Sequence, residues 1–228
     1  MDWSDTPQAL VEAEDLDGAC GQHLVDAAVV YTDEGGYRLL VEGLDEYERR
    51  FCALSSADGV LWTNEGVAWS GTELDENNIS VPEILRHRDG HWLLYYLGDL
   101  GDGVGGGDNI RLAASGDGVT WSSRVAEGML PAHDTDPFPV WLTGGGVRLY
   151  HTHPVMLGLI GASDSADGES FESTTDVAGL DPSATHPEEL WLDPVVLRLP
   201  DDRIVAYFTR TQPDGGQAVG VGRAWAVD

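Results

Sequence analysis

Four segments of the chain repeat one pattern, an apolar run, a polar turn and a second apolar run: DAAVVYTDEGGYRLL (Asp26–Leu40), VPEILRHRDGHWLLY (Val81–Tyr95), DPFPVWLTGGGVRLY (Asp136–Tyr150) and DPVVLRLPDDRIVAY (Asp193–Tyr207). They align without gaps and start 55, 55 and 57 residues apart. β-branched and aromatic residues fill both arms of each copy. Asp-Glu-Gly-Gly, Arg-Asp-Gly, Gly-Gly-Gly or Pro-Asp-Asp sits between them, so each copy predicts a β-hairpin. A third strand is predicted after the hairpin, as in Phe51–Asp58, Ile110–Asp117 and Ala218–Asp228. Helical periodicity is nearly absent; Gln8–Leu16 alone has room for a short helical turn.

A second repeat sets the phase of the first. SADGVLW (Ser56–Trp62), SGDGVTW (Ser115–Trp121) and SADGESF (Ser165–Phe171) each follow a third strand and open a fourth. The Ser and Asp side chains suit a turn in which they bond backbone N–H groups. The glycine supplies a positive φ, and the aromatic is placed to pack between neighbouring units. This reading makes the motif structural. It resembles the sialidase aspartate box with one residue fewer between Asp and Gly.

Four antiparallel strands in a unit of about 55 residues is the sequence form of a β-propeller blade. The expected fold is all-β, one propeller domain over residues 1–228. Its blades fall at about 26–75, 76–130, 131–185 and 186–228 plus 1–12. Asp228 occupies the Asp slot of a fourth turn and Trp3 its aromatic slot, so the N-terminal strand is expected to complete the last blade and close the ring, removing exposed sheet edges.

Charge narrows the partners. The chain carries 40 acidic residues against 12 basic ones, all arginine, for a net charge of −28. Such a surface repels phosphate backbones and anionic lipid, so neither nucleic acid nor membrane is an expected partner. A carboxylate coat of this density fits adaptation to high salt. A high-GC genome, which depletes lysine, is the competing source. No apolar run reaches the length of a membrane span, and no signal peptide is recognisable. The expected locations are therefore the cytoplasm of a high-salt organism or, for a trimmed chain, outside the cell. A monomer binding a carbohydrate or other small molecule is expected. Cys20 and Cys52 match no metal spacing, and each lies near a predicted strand, so buried free thiols are the expectation.

In a propeller the first strand of each blade lines the axis. The aligned first positions are Asp26, Val81, Asp136 and Asp193, and Glu83 shares the strand face of Val81. Carboxylates from several blades are thus expected to converge. VPEILRHRDGHWLLYY, TDPFPVWLTGGGVRLYH and LDPVVLRLPDDRIVAYF, each with its SxDGxxW-type turn, resemble the five-bladed propeller glycosidases of the arabinanase and β-xylosidase type, glycoside hydrolase family 43 and its relatives. The resemblance implies an inverting glycosidase needing no cofactor. It places the general base at Asp26, a pKa-tuning and orienting Asp at Asp136, and the general acid at the slot of Asp193. Val-Pro-Glu at Glu83 resembles the family's second-blade motif and implies substrate binding. Three departures stand out. Asp26 is followed by Ala instead of Pro, Asp193 stands where the family has Glu, and four blades are counted instead of five. Glu188 and Glu189, just upstream, offer a longer acid.

The chemistry itself needs one carboxylic acid to protonate the leaving oxygen and one carboxylate to activate water. Crowded carboxylates drive pKa values apart and keep one protonated near neutrality. The competing reading of Asp-Pro at a strand start is structural. The Asp caps local N–H groups and the Pro marks entry to the strand. Trp141, Trp191 and His153 are candidates to contact a sugar. A non-catalytic propeller binding carbohydrate or protein is the main alternative. A second is a metal-dependent propeller. His133, His151 and His153, with Asp134 close in sequence, are of the types that bind a divalent metal.

Overall fold

The computed structural model describes residues 11–16, 18–32, 34–46, 48–72, 78–98, 109–124, 134–153, 158–177, 180, 182–183, 186–201, 203–211 and 215–225. It is all-β, with one short 3-10 turn at Ala13–Leu16. The first blade orders β1 (His23–Tyr31), β2 (Tyr37–Leu44), β3 (Arg49–Ser56) and β4 (Thr63–Trp69) from inside to outside. The second holds β5 (Ile79–Arg86), β6 (Trp92–Gly98), β7 (Asn109–Ser115) and β8 (Trp121–Arg124). The third holds β9 (Thr135–Trp141), β10 (Val147–His153), β11 (Leu159–Ser165) and the short β12 (Thr175–Asp176). The fourth shows β13 (Leu190–Arg198), β14 (Arg203–Thr211) and β15 (Gln217–Trp225). All pairings are antiparallel. The expected closing strand, with Trp3 and Asp228, lies outside the described residues.

Alternation places one face of each sheet against each neighbour. Ala28, Phe51, Ile84, Leu94, Tyr96 and Trp121 form the layer between the first two blades. Leu85, Leu93, Tyr95, Leu112, Val147 and Leu149 form the next layer. Tyr150, Ile160, Trp191, Val196, Ala206 and Phe208 join the third blade to the fourth. Val25, Val29 and Tyr31 are exposed on β1, and Val195, Leu197, Tyr207, Val219 and Val221 on the last sheet.

The repeated turn behaves as its residue types dictate. In the second blade Ser115 Oγ accepts from the N–H groups of Asp117 and Gly118 at 3.2 and 2.9 Å. Asp117 Oδ1 accepts from Val119 and Thr120 at 2.8 and 2.7 Å. The same bonds recur at Ser56–Leu61 and Ser165–Ser170. Gly118 has φ +74°, and a Cβ there would lie 3.0 Å from the Trp92 ring. Two of the three aromatics go where blades meet: Trp121 is buried between blades one and two, and Phe171 meets Tyr95 edge-on between blades two and three, whereas Trp62 packs beside Cys20 and Cys52.

The two cysteines depart from expectation. Cys20 and Cys52 form a disulfide with Cα atoms 6.0 Å apart. The segment carrying Cys20 lies flat on β2, so close that a Cβ at Gly43 would overlap the Cys20 carbonyl. That approach brings together two thiols distant in sequence.

Candidate functional site

The inner strands β1, β5, β9 and β13 each carry a β-bulge, in which two residues face one on the partner strand. Bulges bend a strand and re-aim its side chains. In the last three blades the bulge is an X-Pro step: Val81-Pro82, Asp136-Pro137 and Asp193-Pro194. These X residues are the only non-glycine positions with positive φ among the described residues, at 50°, 56° and 53°. Proline bars its predecessor from the ordinary helical region. A left-handed backbone costs about 1–2 kcal/mol for an L-residue, more easily borne by Asp than by β-branched Val. Three equivalent strained steps therefore lie on the innermost strands. In the first blade Asp26 precedes Ala, the bulge slips to Val25-Asp26, and the positive φ is lost.

Asp136 is the best-buried of the aligned aspartates. Its Oδ2 accepts from the hydroxyls of Thr135 and Thr152, both at 2.8 Å. The Thr152 hydroxyl also accepts from the Asp193 backbone N–H at 3.2 Å, tying the third blade to the fourth. Burial, together with the charge and a hydrogen bond from the Asp193 carboxyl, raises Asp136 to about 6 against the two threonines. Asp193 is thus close enough for its charge to act on Asp136.

Glu83 lies two residues past the strained Val81. Burial alone pushes it to about 8, so it carries a proton at neutral pH. Asp26 is exposed on β1, close enough to Glu42 for its charge to act there. Glu42 was not anticipated from the sequence. It is fully buried, receives Arg49 at 2.5 Å, and accepts from the Val81 N–H at 3.0 Å. Burial raises its pKa, opposed by that N–H and by Arg49. Thr152 was missed as well. A carboxylate inside the apolar stretch of β2 was the available signal for Glu42; Thr152, among Arg148, His151 and His153 on β10, carried none.

The remaining candidates lie elsewhere. Glu189 forms a two-point ion pair with Arg210, at 2.8 and 2.6 Å, and accepts from the Trp191 indole at 3.1 Å. Arg210 and Trp191 hold Glu189 at about 2, ionised, the wrong state for a general acid. Glu188 is exposed. Trp191 is buried against Phe208, with ring centroids 4.7 Å apart. Trp141 lies at the far end of β9 from Asp136, beneath the Arg88 guanidinium, whose carbon is 4.6 Å from the ring centre. Five residues of strand put it roughly 15 Å from the bulge. Both tryptophans therefore serve packing. His133 lies outside the described residues.

His151 and His153 do converge, on Asp134. His153 Nδ1 is 2.6 Å from Asp134 Oδ1, and His151 Nδ1 is 3.3 Å from Oδ2. Asp134 and His151 are fully buried. His151 Nε2 meets Ser163 Oγ at 3.3 Å, and that hydroxyl meets Thr174 at 3.0 Å. Burial, aided by His153, lowers His151 to about 3, so its imidazole is neutral.

No family model matches the sequence, and no curated protein does. Solved structures do. An endo-arabinase from Bacteroides thetaiotaomicron superposes with TM-score 0.67 at 13% identity, covering 88% of this chain and 75% of its own. The native arabinanase of Bacillus subtilis gives 0.66 at 17% identity, covering 91% and 74%. An α-L-arabinofuranosidase from Fusarium graminearum gives 0.63 at 14% identity, covering 88% and 61%. The chain therefore has the β-propeller fold of these glycoside hydrolases.

Proposed function

We propose that this propeller acts on a carbohydrate by glycosidase chemistry at its axis, with Glu83, Asp136, Asp193 and Asp26 as the reacting and orienting groups. The proximity of Asp136 and Asp193 at two strained Asp-Pro steps carries this reading. Storing backbone strain and like charge in one place costs stability, and such cost concentrates at functional sites. The likeness to arabinanase structures supports the substrate class, a furanose or pyranose chain.

The roles follow from the protonation states. An inverting pair needs roughly 6.5–9.5 Å between its carboxyls to admit water, and one of the two must hold a proton at neutral pH. Asp136 and Asp193 orient the sugar, and carboxylate charge there stabilises positive charge developing at the ring. Glu83, protonated at neutrality, takes the acid role expected at the slot of Asp193. Asp26, exposed on the opposite side of β5 from the third blade, takes the base role.

Aryl α-L-arabinofuranosides, aryl β-D-xylosides and linear arabinan are the substrates to assay, with the anomer of the first product read by NMR. Inverted product that disappears in Glu83→Gln and Asp26→Asn supports the proposal. Tight oligosaccharide binding with no turnover favours the non-catalytic alternative. One observation points that way: Glu189, the longer carboxylate of the fourth blade, is locked to Arg210.

A further inference from the structure

We propose that Asp134, His151 and His153 form a divalent-cation site of the zinc class, built into the third blade behind the bulge that carries Asp136. One ligand atom from each of the three lies within 4.8 Å of the others. Asp134 immediately precedes β9, and both histidines lie on β10, two residues apart and on the same strand face.

The hydrogen bonding of His151 is the deciding observation. Its Nδ1 is buried and has no hydrogen-bond partner, although Asp134 Oδ2 is only 3.3 Å away. When Nε2–H donates to Ser163, Nδ1 presents a bare lone pair to a carboxylate oxygen. Two acceptors then face each other in a dry interior, an arrangement that costs free energy. A cation between them turns both into ligands. Ligands about 2.0–2.1 Å from a tetrahedral zinc are about 3.3 Å apart, the separation seen for His151 and Asp134. His153 at 2.6 Å has to move outward by a fraction of an ångström. Its side chain is 24% exposed, which gives it freedom to move and gives an ion a way in.

The surroundings are those of a ligated histidine. Ser163 fixes the second nitrogen of His151, and Thr174 in turn bonds both Ser163 and, at 3.4 Å, Asp134. Such outer partners set the tautomer and ring orientation. Two imidazoles and one carboxylate leave a fourth position open, a donor set suited to Zn²⁺ or Co²⁺ over Mg²⁺ or Ca²⁺. The ion would brace β9 against β10 at the level of Asp136.

A second cluster, His87, Asp89 and His91, supplies the control. It sits on the β5–β6 turn, with Asp89 largely exposed. Tag-free, chelator-treated protein is titrated with Zn²⁺ by calorimetry and with Co²⁺ by visible absorption. The expected result is one tight equivalent, with a tetrahedral Co²⁺ spectrum, in the parent and in His87→Ala. His153→Ala, at a partly exposed position, keeps its fold by circular dichroism and loses more than about 100-fold in affinity. Ser163→Ala loses about 10–100-fold. A parent that binds no equivalent overturns the proposal, as does a His153→Ala protein that binds like the parent. Loss of binding in His87→Ala with retention in His153→Ala also overturns it. None of these readouts depends on glycosidase activity.

Discussion

Asp136 and Asp193 occupy the same bulge on the inner strands of adjacent blades, share the same left-handed backbone, and lie close enough that the charge of Asp193 raises the pKa of Asp136. Thr152 holds the arrangement from the middle, donating to one side chain and accepting from the other's backbone.

That proximity sets a pH dependence. Asp136 is raised to about 6 by burial and by Asp193, above the ordinary aspartate value near 4. A carboxyl with a raised folded-state pKa favours folding while protonated. Its contribution is complete below about pH 4 and is lost as pH rises through 6. Asp136→Asn should remove this loss, so its melting temperature should change less than the parent's between pH 4 and 7. Asp193→Asn should move the Asp136 titration down by removing the like charge, as read by carboxyl ¹³C NMR. An unchanged titration would show the two groups to be independent.

Glu83 tests the acid role. Burial raises it to about 8 from an ordinary value near 4.5, so the parent should lose stability progressively between those values and Glu83→Gln should not. Above pH 8 the variant should be the more stable protein in a thermal melt. If Glu83 is the acid, the same substitution lowers kcat by about 10²–10⁴-fold on substrates with poor leaving groups, and by less on activated aryl glycosides. Equal loss on both classes would assign Glu83 to binding instead.

The sequence made the blades legible because hairpin turns and period-two alternation are local. The hairpin from Asp136 to Tyr150, for example, appears as β9 and β10, shifted by one residue at its start and extended to His153. The two Asp-Pro steps were legible for a related reason, since they recur at a fixed phase. The influence of Asp193 on Asp136 was not legible. It depends on bulges and positive φ values that no residue type encodes alone. The Glu189–Arg210 pair was hidden too, because it joins the approach to β13 with the end of β14 and needs the strand register. Trp141 and Trp191 show the converse. An aromatic near a predicted strand end carries no mark of whether it meets a sugar or a neighbouring blade.

The repeated turn should matter for stability and not for chemistry. Backbone N–H groups from Thr120 and Val119 hold Asp117 at about 2. A depressed carboxylate contributes stability above its unfolded value near 4, and the contribution is lost as pH falls through 2. Asp117→Ala hands those two exposed N–H groups to water and should cost about 1 kcal/mol. Gly118→Ala combines a left-handed backbone with a contact at 3.0 Å from Trp92 and should cost a similar amount. Both should unfold at lower urea with kcat and KM unchanged per folded molecule. A change in KM would mean that the turn communicates with the axis.

The disulfide should be a main anchor of the segment that precedes the first blade. Cys20 and Cys52 are fully buried beside Leu16, Val41 and Leu54. Gln22 N–H donates to the Leu44 carbonyl at 3.0 Å, and Arg50 donates to the Ala19 carbonyl at 3.2 Å, so the bond reinforces a segment already docked on β2 and β3. The cysteines are separated by 32 residues, and closing a loop of that size in the unfolded chain is worth about 3–4 kcal/mol. For a chain of this length that is roughly 10 °C in Tm. Reduction of the native protein should be slow, because neither sulfur is exposed; reduction under mild denaturant followed by refolding should reveal the full loss. A Cys20→Ala/Cys52→Ala protein should match the reduced parent and be indifferent to dithiothreitol. If the double variant melts with the oxidised parent, the hydrogen bonds and the buried cluster hold the segment by themselves. Gly43→Ala separates the two contributions: with no room for a methyl against the Cys20 carbonyl, it should lift the segment off β2 while leaving both cysteines in the chain.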